Sequence, residues 1–379
     1  MGEDTSPYPP SQLFLDNSNN AVVTWPFSEA HTNTYTSGAG WGTAASLESR
    51  AIVSHPVELA GVPASGEAVA VWTVASAAAD SGFNTVWFSR FVPGVGWQET
   101  TAVDNVADFA EHPKVAMDAS GNALVVFTQH SPINADTNIV AYWYDASFGT
   151  WSGPQTVDPN VTGSFPQQPA VAMNSAGEAV VAWSQQDTPG REDVWINRYT
   201  PTGGWAGSEA IDSSADARSL ETDVAIDSVS NLFVVWLKQD VAAGRSGSDL
   251  WARRFDATLA TPSWESAELI EFDDTVDDSA AIQESQIKAD EAGNAIVVWT
   301  QDDGTNRNAR AARYSITDAA WGAEELLEEI DTGDANGLYL SMERTSGNAA
   351  VTWHLTRPDP FWGISDPAID IWVNRFIAP

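Results

Sequence analysis

The chain has 379 residues, of which 43% are hydrophobic, so it is long enough to bury a substantial core. Its 52 Asp and Glu residues against 17 Lys and Arg residues give a formal net charge of −35, which argues against nucleic acid and anionic membranes as partners. Cysteine is absent, which excludes disulfides, thiolate nucleophiles and Cys-ligated zinc.

The amino terminus, MGEDTSPYPP, is acidic and rich in proline, unlike the basic and apolar start of a signal peptide. We expect no membrane-spanning segment, because the longest uncharged apolar-leaning run, residues 68–79, is shorter than the roughly 20 residues that a spanning helix needs. The protein is then either intracellular, or secreted or on the cell surface with its signal sequence absent from this chain. The second location is favoured, because acid-rich, Lys-poor surfaces suit salty external media.

An apolar run that ends in an aromatic residue recurs along the whole chain, first as AVVTW and later as AIVVW. Successive copies are 47 to 63 residues apart. The seven copies end at Trp25, Trp72, Phe127, Trp183, Trp236, Trp299 and Trp353. Self-similarity at such a period is the signature of a repeat architecture.

Each repeat predicts four short strands in chain order. The first strand alternates apolar and polar residues, as in PKVAMD at 113–118, and ends in a hairpin turn of the type Asp-x-x-Gly-Asn. The second is the apolar run, which is continuous enough to be buried on both faces. The third has the form VWINRY, as at 194–199, and a tryptophan opens the fourth. No ten-residue stretch predicts a convincing amphipathic helix; residues 322–330 come nearest but occupy a fourth-strand position.

Seven units of four antiparallel strands predict an all-β fold, a seven-bladed β-propeller that forms one domain over residues 1–379. An open solenoid is disfavoured because neither end of the chain carries a polar cap that differs from the middle. The chain stops three residues after the third strand of the seventh repeat. The last blade is therefore expected to have three strands, unless the natural chain is longer.

The repeat consensus can be written GNAxxVWxQ, then IWxxRY, then GW. It is carried by Gly121-Asn122, Gly293-Asn294-Ala295, Trp299-Thr300-Gln301, Trp195 with Arg198-Tyr199, and Gly204-Trp205. This consensus resembles the repeats of bacterial exported propeller proteins, often lipoproteins, which mostly lack an assigned activity. The resemblance covers nearly the whole chain and implies the fold rather than a function. The Ser-x-Asp-x-Gly-x-x-Trp boxes of sialidases do not occur, and the motif of fucose-binding propeller lectins is not matched.

An arginine recurs in the third strand of five repeats, at Arg90, Arg198, Arg254, Arg313 and Arg375. A row of sugar sites would use such guanidinium groups together with tryptophan faces. Repeated ion pairs between neighbouring blades are favoured instead, because the arginines keep register with core aromatic residues and buried arginine usually has a partner. The turn carboxylates are the expected partners: Asp16, Asp118, Asp227 and Asp290.

Two acidic regions are candidate metal-binding sites. One is the insertion at 271–285, and the other holds Glu324, Glu325, Glu328, Glu329, Asp331 and Asp334. A solvated acidic loop is favoured, while a site for Ca²⁺ or another divalent cation stays open. The hairpin turns offer one carboxylate each, too few for calcium.

The loops before first strands and after second strands open on the same face of a four-stranded blade. The residues just ahead of the innermost strands are expected to form a polar ring at the channel mouth: His55, His112, Gln168, Glu221 and Glu284. The same face is expected to collect residues that follow the second strands: Gln129, Gln185, Asp187, Gln239, Asp240, Gln301, Asp303 and His354. This excess of acceptors suits a polyhydroxylated ligand or a divalent cation better than an anion.

Catalytic motifs are missing: the five histidines form no HExxH motif, and no GxSxG or phosphate loop occurs. The favoured function is therefore an extracellular, lectin-like binding module, monomeric, that recognises carbohydrate or another cell-surface polymer or protein, with no certain cofactor. The alternative is a polysaccharide hydrolase or lyase with one site at the channel mouth, because a catalytic carboxylate pair is recognised by its separation in space.

Overall fold

A computed structural model describes thirteen stretches of the chain, and every element below lies in them. They are residues 11–26, 29–48, 57–75, 83–104, 109–131, 136–159, 164–188, 191–212, 217–240, 247–271, 282–328, 333–357 and 368–376. All regular structure in these stretches is β-strand, which confirms the all-β prediction. Among these residues, no helix has the length and apolar character needed to span a bilayer.

The strands belong to two structural units, each made of the repeats found in the sequence. The first unit comprises Met1–Thr188 and Trp195–Ala210, and the second comprises Pro189–Val194 and Ile211–Pro379. Strands β17 (Arg191–Thr200) and β19 (Glu209–Asp212) contain residues of both units.

Repeats one to four supply strands β1 to β19, which run as antiparallel meanders. In chain order they are β1 (Gln12–Leu15), β2 (Ala21–Pro26), β3 (Ala30–Thr36), β4 (Gly40–Trp41), β5 (Ala45–Ser46), β6 (Glu58–Val62), β7 (Glu67–Ala75), β8 (Asn84–Val92), β9 (Gly96–Trp97), β10 (Thr101–Ala102), β11 (Phe109–Met117), β12 (Ala123–His130), β13 (Thr137–Asp145), β14 (Thr150–Thr156), β15 (Phe165–Met173), β16 (Ala179–Thr188), β17 (Arg191–Thr200), β18 (Gly204–Trp205) and β19 (Glu209–Asp212).

Repeats five to seven supply the remaining strands of the second unit, and the seventh has three strands among the described residues. In chain order they are β20 (Ala217–Ile226), β21 (Leu232–Asp240), β22 (Asp249–Asp256), β23 (Ser263–Trp264), β24 (Glu268–Leu269), β25 (Ile282–Ala289), β26 (Ala295–Asp302), β27 (Arg307–Ser315), β28 (Ala320–Trp321), β29 (Glu325–Leu326), β30 (Asp334–Met342), β31 (Ala349–Arg357) and β32 (Ala368–Phe376).

Within each repeat the second strand lies between the first and the third. In the third repeat, for example, Val125 of β12 is paired with Val115 of β11 on one side and with Tyr142 of β13 on the other. The predicted fourth strand is continuous only in that repeat, as β14. In repeats one, two, four, five and six it is split into two short pieces, such as β28 and β29, which both pair with β27.

The core lies between the sheets of successive repeats. Trp72, Trp183, Trp236 and Trp299, which end the apolar runs, have zero solvent exposure, so their predicted burial is confirmed. The ring of Trp299 belongs to the same buried cluster as Phe233 and Val235 of the preceding repeat. The ring of Trp299 therefore fills space between the sheets of repeats five and six.

The Asp-x-x-Gly-Asn turns are closed by their own aspartates. Oδ1 of Asp118 accepts hydrogen bonds from the backbone N–H groups of Ser120 and Asn122 at 2.8 and 2.9 Å, and Oδ2 accepts from Nδ2 of Asn122 at 2.8 Å. The same three bonds occur at Asp16, Asp227 and Asp290. These carboxylates therefore stabilise positive-φ hairpin turns.

Four of the five repeated arginines form ion pairs with acids of their own repeat. Arg90 Nη2 lies 2.8 Å from Oε2 of Glu67, and Arg254 Nη1 lies 2.6 Å from Oε1 of Glu265. The expected pairing with the turn carboxylates is wrong for these two arginines, because each aspartate is already bound to its own turn. The geometry supports structural ion pairs, but the expectation that they join neighbouring blades is wrong for Arg90 and Arg254, because both partners lie in the same repeat.

Candidate functional site

The first strands of repeats three to seven share a bulge near their start. The pairing register with the second strand shifts there, and one residue takes a left-handed backbone conformation. These residues are His112 (φ 52°), Gln168 (φ 49°), Glu221 (φ 48°), Glu284 (φ 52°) and Gly337 (φ 64°). For a residue with a Cβ this conformation costs about 1–2 kcal/mol, and such strain and bulges concentrate at functional sites.

Four of these five bulge residues are predicted channel-mouth residues. The fifth candidate of that group, His55, lies outside the described residues. His112 and Gln168 belong to the first unit, while Glu221 and Glu284 belong to the second. The sequence placed them ahead of the first strands; they lie inside those strands instead, at the bulge.

In the second unit the bulges are linked by glutamate side chains. Oε2 of Glu221 accepts a hydrogen bond from the backbone N–H of Glu284 at 3.2 Å. Oε2 of Glu284 in turn accepts from the backbone N–H of Leu338 at 2.9 Å. Each carboxylate therefore lies beside the bulge of the next repeat, where a charge-assisted bond holds it.

Further along the first strands, side chains again join neighbouring repeats. Oδ2 of Asp223 accepts from the N–H of Ile287 at 2.9 Å. Gln286 accepts from the N–H of Leu340 at 2.8 Å and donates to the carbonyl oxygen of Leu338 at 2.6 Å. These bonds fix the spacing of β20, β25 and β30 and hence the position of the bulges that they carry.

The bulge of the seventh repeat differs from the others because it carries glycine and is covered by a histidine. A Cβ on Gly337 would lie 3.3 Å from Nδ1 of His354, so the missing side chain makes room for the imidazole ring. His354 follows the core residue Trp353, at a position where other second strands have Thr, Ser, Leu or Pro. Burial lowers the pKa of His354, so the ring is neutral near pH 7. It makes no hydrogen bond with the residues that the structure describes.

An arginine and an asparagine complete this site. Asn336 precedes Gly337 and is paired with His354 across the two strands. Its Oδ1 accepts a hydrogen bond from Nη1 of Arg307, and its Nδ2 donates to the carbonyl oxygen of Asp334 at 3.0 Å. We call Glu284, Arg307, Asn336, Gly337 and His354 the bulge cluster; all five are half-buried.

Asp303 shapes the loop that leads to Arg307. Oδ1 of Asp303 accepts backbone N–H bonds from Thr305 at 2.8 Å and Asn306 at 3.0 Å, and Oδ2 accepts from Nδ2 of Asn308 at 2.9 Å. The hydrogen bond from Asn306, followed by those from Thr305 and Asn308, lowers the pKa of Asp303. This predicted site residue therefore positions a loop next to the bulge cluster.

Two predicted ligand residues are bound to core tryptophans. The indole Nε1 of Trp183 donates to Oε1 of Gln185 at 3.0 Å, and that of Trp299 donates to Oε1 of Gln301 at 3.1 Å. Gln185 is 1% exposed and Gln301 is 4% exposed. Their burial explains the Trp-x-Gln pattern as a hydrogen-bonded core pair.

The other predicted residues are more peripheral. Gln239 is half-buried near the end of β21. Asp187 and Asp240 lie in described strands, but their side chains lie outside the described part. In the first unit, the bulge of His112 adjoins Glu111, whose carboxylate lies 3.2 Å from Nε2 of His130.

No three His, Asp or Glu side chains among the described residues lie close enough together to hold a metal ion. Most of the acidic insertion, 272–281, lies outside those residues, as do Glu329 and Asp331. In the second acidic region Glu324 accepts a hydrogen bond from Arg310 at 2.5 Å, and Glu328 accepts one from the N–H of Ala309 at 2.6 Å.

A repeated acid at or just after the end of the fourth strand in six repeats was not predicted from the sequence. The six acids are Glu48, Asp104, Asp158, Asp212, Glu271 and Glu328, and each follows Leu, Val or Ile. All except Asp212 are buried. Glu271 accepts from Nε2 of Gln301 at 3.1 Å, which extends the Trp299–Gln301 pair. An acid after an apolar residue at the repeat period is the signal that could have revealed them.

The chain matches no known family model and no characterised protein by sequence. By structure it is similar to the polysaccharide lyase Uly1, with a TM-score of 0.65 and 9% identity over 100% of this chain and 91% of that one. An ulvan lyase bound to -[GlcA(1-4)Rha3S]- gives a TM-score of 0.63 at 8% identity over 95% and 90%. The α-L-arabinanase of Penicillium chrysogenum gives 0.51 at 13% identity over 78% and 88%. At these identities the similarity shows an all-β, propeller-like fold.

Proposed function

We propose that this protein binds carbohydrate and is a single-domain, seven-bladed β-propeller whose last blade has three strands. The seven sequence repeats support the blade number, and the three strands of the seventh repeat support the short last blade. The similarity to propeller-like lyases over the whole length supports one architecture for the entire chain. The repeat consensus and the acid-rich composition support an exported protein of the bacterial propeller type.

The bulge cluster is the proposed binding site. One observation carries this assignment: the seventh repeat replaces the bulge side chain by Gly337 and fills the space with His354. A single asymmetric site is expected where one repeat departs from the others, because a shared scaffold holds divergent residues. A strained bulge also aims the neighbouring side chains in fixed directions.

The chemistry of the cluster suits a polyhydroxylated ligand. Arg307 supplies donors only, Glu284 supplies acceptors, and the amide of Asn336 and the neutral ring of His354 can do both. Sugar hydroxyl groups donate and accept, so such a mixed set can bind them from several sides. Ca²⁺ or another divalent cation could assist through Glu284, and we therefore propose to measure binding with added Ca²⁺ and with a chelator.

The test is binding of a panel of polysaccharides to the full chain and to His354→Ala, measured by calorimetry. His31→Ala is the matched control, because His31 is also half-buried but stacks on Trp25, 5.7 Å away, in the first unit. We expect His354→Ala to weaken binding about fivefold or more, the size of a significant contact, and His31→Ala to have no effect. Equal binding by both variants, or no binding to any polysaccharide, would contradict the proposal.

A polysaccharide lyase or hydrolase is the second candidate. A neutral imidazole can accept a proton, and it lies beside the Gly337–Leu338 peptide that also binds the Glu284 carboxylate, with a guanidinium close by. The similarity to structures of polysaccharide lyases points in the same direction. Bound polysaccharides would be incubated with the protein and followed by ultraviolet absorbance for an unsaturated product and by reducing ends for hydrolysis. Binding without either signal would leave the protein a binder.

A further inference from the structure

Arg307 is unusual among the described Lys and Arg side chains because no carboxylate of the described residues lies within salt-bridge distance of it. Ten described Lys and Arg side chains lie within salt-bridge distance of an acid: Arg90, Lys114, Arg191, Arg198, Arg218, Lys238, Arg254, Lys288, Arg310 and Arg313. Arg307 contacts the neutral amide of Asn336 instead. In a chain with 52 acids and 17 bases, chance favours the opposite outcome.

The guanidinium of Arg307 is held in place but most of its donors are unused. A guanidinium has five N–H donors in a planar fork. Its hydrogen bond to Asn336 is the one that its side chain makes with described residues, and its buried Nε has no acceptor among them. Arg253, by contrast, donates to the backbone carbonyl oxygens of Ile211 and Glu265. The guanidinium of Arg307 is therefore not neutralised by a described acid, and one edge of its planar fork has N–H donors that no described residue accepts.

The nearby carboxylates are bound to backbone N–H groups rather than to the guanidinium of Arg307. Oδ1 of Asp334 accepts from the backbone N–H of Arg307 at 2.9 Å, and Glu284 accepts from the N–H of Leu338. The orientation of Asn336 is fixed by its own bond to the carbonyl oxygen of Asp334. A neutral amide thus positions the cation without neutralising it.

We propose that the bulge cluster selects an anionic sugar unit, whose negative oxygens bind the free edge of the Arg307 guanidinium. This inference rests on the proposed carbohydrate binding and names the ligand class. The shared chemistry is a pair of anionic oxygens, which a uronate carboxylate or a sulfate ester would supply; both fit the planar fork. Binding of a polyanion by a chain of net charge −35 also requires salt. Salt near 0.15 M shortens the Debye length to about 8 Å and screens the distant acids more than the contact pair.

The experiment compares two forms of one polymer with the full chain at moderate salt. Polygalacturonate carries free carboxylates, and highly methyl-esterified pectin has the same backbone with its carboxylates blocked. We expect polygalacturonate to bind about 10- to 100-fold more tightly, the value of a charge-assisted bidentate contact. A sulfated galactan without carboxylates is the third probe; binding of this polymer would identify sulfate as an accepted source of the anion.

Two variants test the role of Arg307. Asn336→Asp keeps the shape of the side chain but gives Arg307 a carboxylate partner, so it should remove the preference for the charged polymer. Arg307→Gln should weaken polygalacturonate binding about 10- to 100-fold. Arg198→Gln is the control, because it makes the same change in net charge at an ion pair with Glu209 in the first unit. A melting curve checks that each variant is folded.

The outcomes separate this inference from the proposed function. If both pectin forms bound with equal affinity and Asn336→Asp bound them as the parent does, the proposed preference for an anionic sugar would be wrong. Carbohydrate binding itself would still stand. Binding that falls equally in Arg198→Gln and Arg307→Gln would show a general charge effect and also overturn it. Failure of every polymer to bind would refute the proposed function itself.

Discussion

Replacing Gln301 by Leu should destabilise the second unit strongly, because it removes two buried hydrogen bonds while changing the side-chain volume little. Gln301 receives the indole N–H of Trp299, which is fully buried, and donates to Glu271, which is 7% exposed. Loss of the neutral bond costs about 1 kcal/mol, and loss of a bond to a charged group costs about 1.5–3 kcal/mol. Part of this sum of about 2.5–4 kcal/mol is offset by burial of the apolar leucine, so we expect a net loss of about 2–3 kcal/mol in the free energy of unfolding.

Urea unfolding followed by tryptophan fluorescence measures this loss. Gln283→Leu is the matched control, because Gln283 is exposed and lies on the strand paired with β26; it should change stability by less than about 0.5 kcal/mol. The seventh repeat has a buried leucine, Leu355, at the corresponding position, so the expected loss is attributed to the missing hydrogen bonds rather than to the shape of leucine. If Gln301→Leu and Gln283→Leu unfolded at the same urea concentration as the parent, the Trp–Gln–Glu chain would contribute nothing.

Three further predictions concern the bulge cluster and the turns. Gly337→Ala should cost about 1–2 kcal/mol in urea unfolding, since it adds a Cβ at positive φ against the His354 ring; an unchanged midpoint would contradict the crowding. Because the pKa of His354 is lowered from 6.5, the unfolded chain binds its proton more readily, and stability should fall as the pH drops below about 6.5. In His354→Leu the free energy of unfolding should fall less between pH 7 and 5. If the variant lost as much stability as the parent over this range, the fall would be caused by other titrating groups. Asp227→Ala removes three hydrogen bonds from one turn and should lower the melting temperature by several degrees, with Asp318→Ala, at an exposed turn, as the neutral control.

The repeats and the buried tryptophans could be predicted because both depend on local pattern. An apolar run that ends in Trp72 or Trp299 has to be buried on both faces of a sheet, whatever its neighbours are. The turn at Asp118 was predicted for the same reason, since its Asp and Gly determine the backbone locally. Alternation also indicates that Gln301 shares the buried face of Trp299, two residues earlier, and the sequence analysis overlooked this consequence.

The bulge cluster could be predicted only in part. Glu284 was found because it precedes a strand core, but its left-handed backbone has no sequence signature in a residue other than Gly or Asn. Arg307 and Asn336 were missed because they lie on different strands and meet only after β27 and β30 are aligned. The ion-pair partners of Arg90 and Arg254 were assigned wrongly for a related reason: charge alone does not tell which of 52 acids lies within reach.

The turn glycines have a consequence for how such a chain can grow and change. A Cβ on Gly66 would lie 3.0 Å from the Asp16 carboxylate, one on Gly177 would lie 3.3 Å from that of Asp118, and one on Gly293 would lie 3.1 Å from that of Asp227. In these pairs the turn of one repeat packs against the turn before it, because the glycine has no side chain and leaves room for the aspartate carboxylate. A gene duplication that copies a whole repeat would therefore copy both the turn aspartate and the turn glycine, and the new repeat could pack against its neighbour without further substitutions. Insertions within the turn would damage two repeats together, so length variation should accumulate at the opposite ends of the strands.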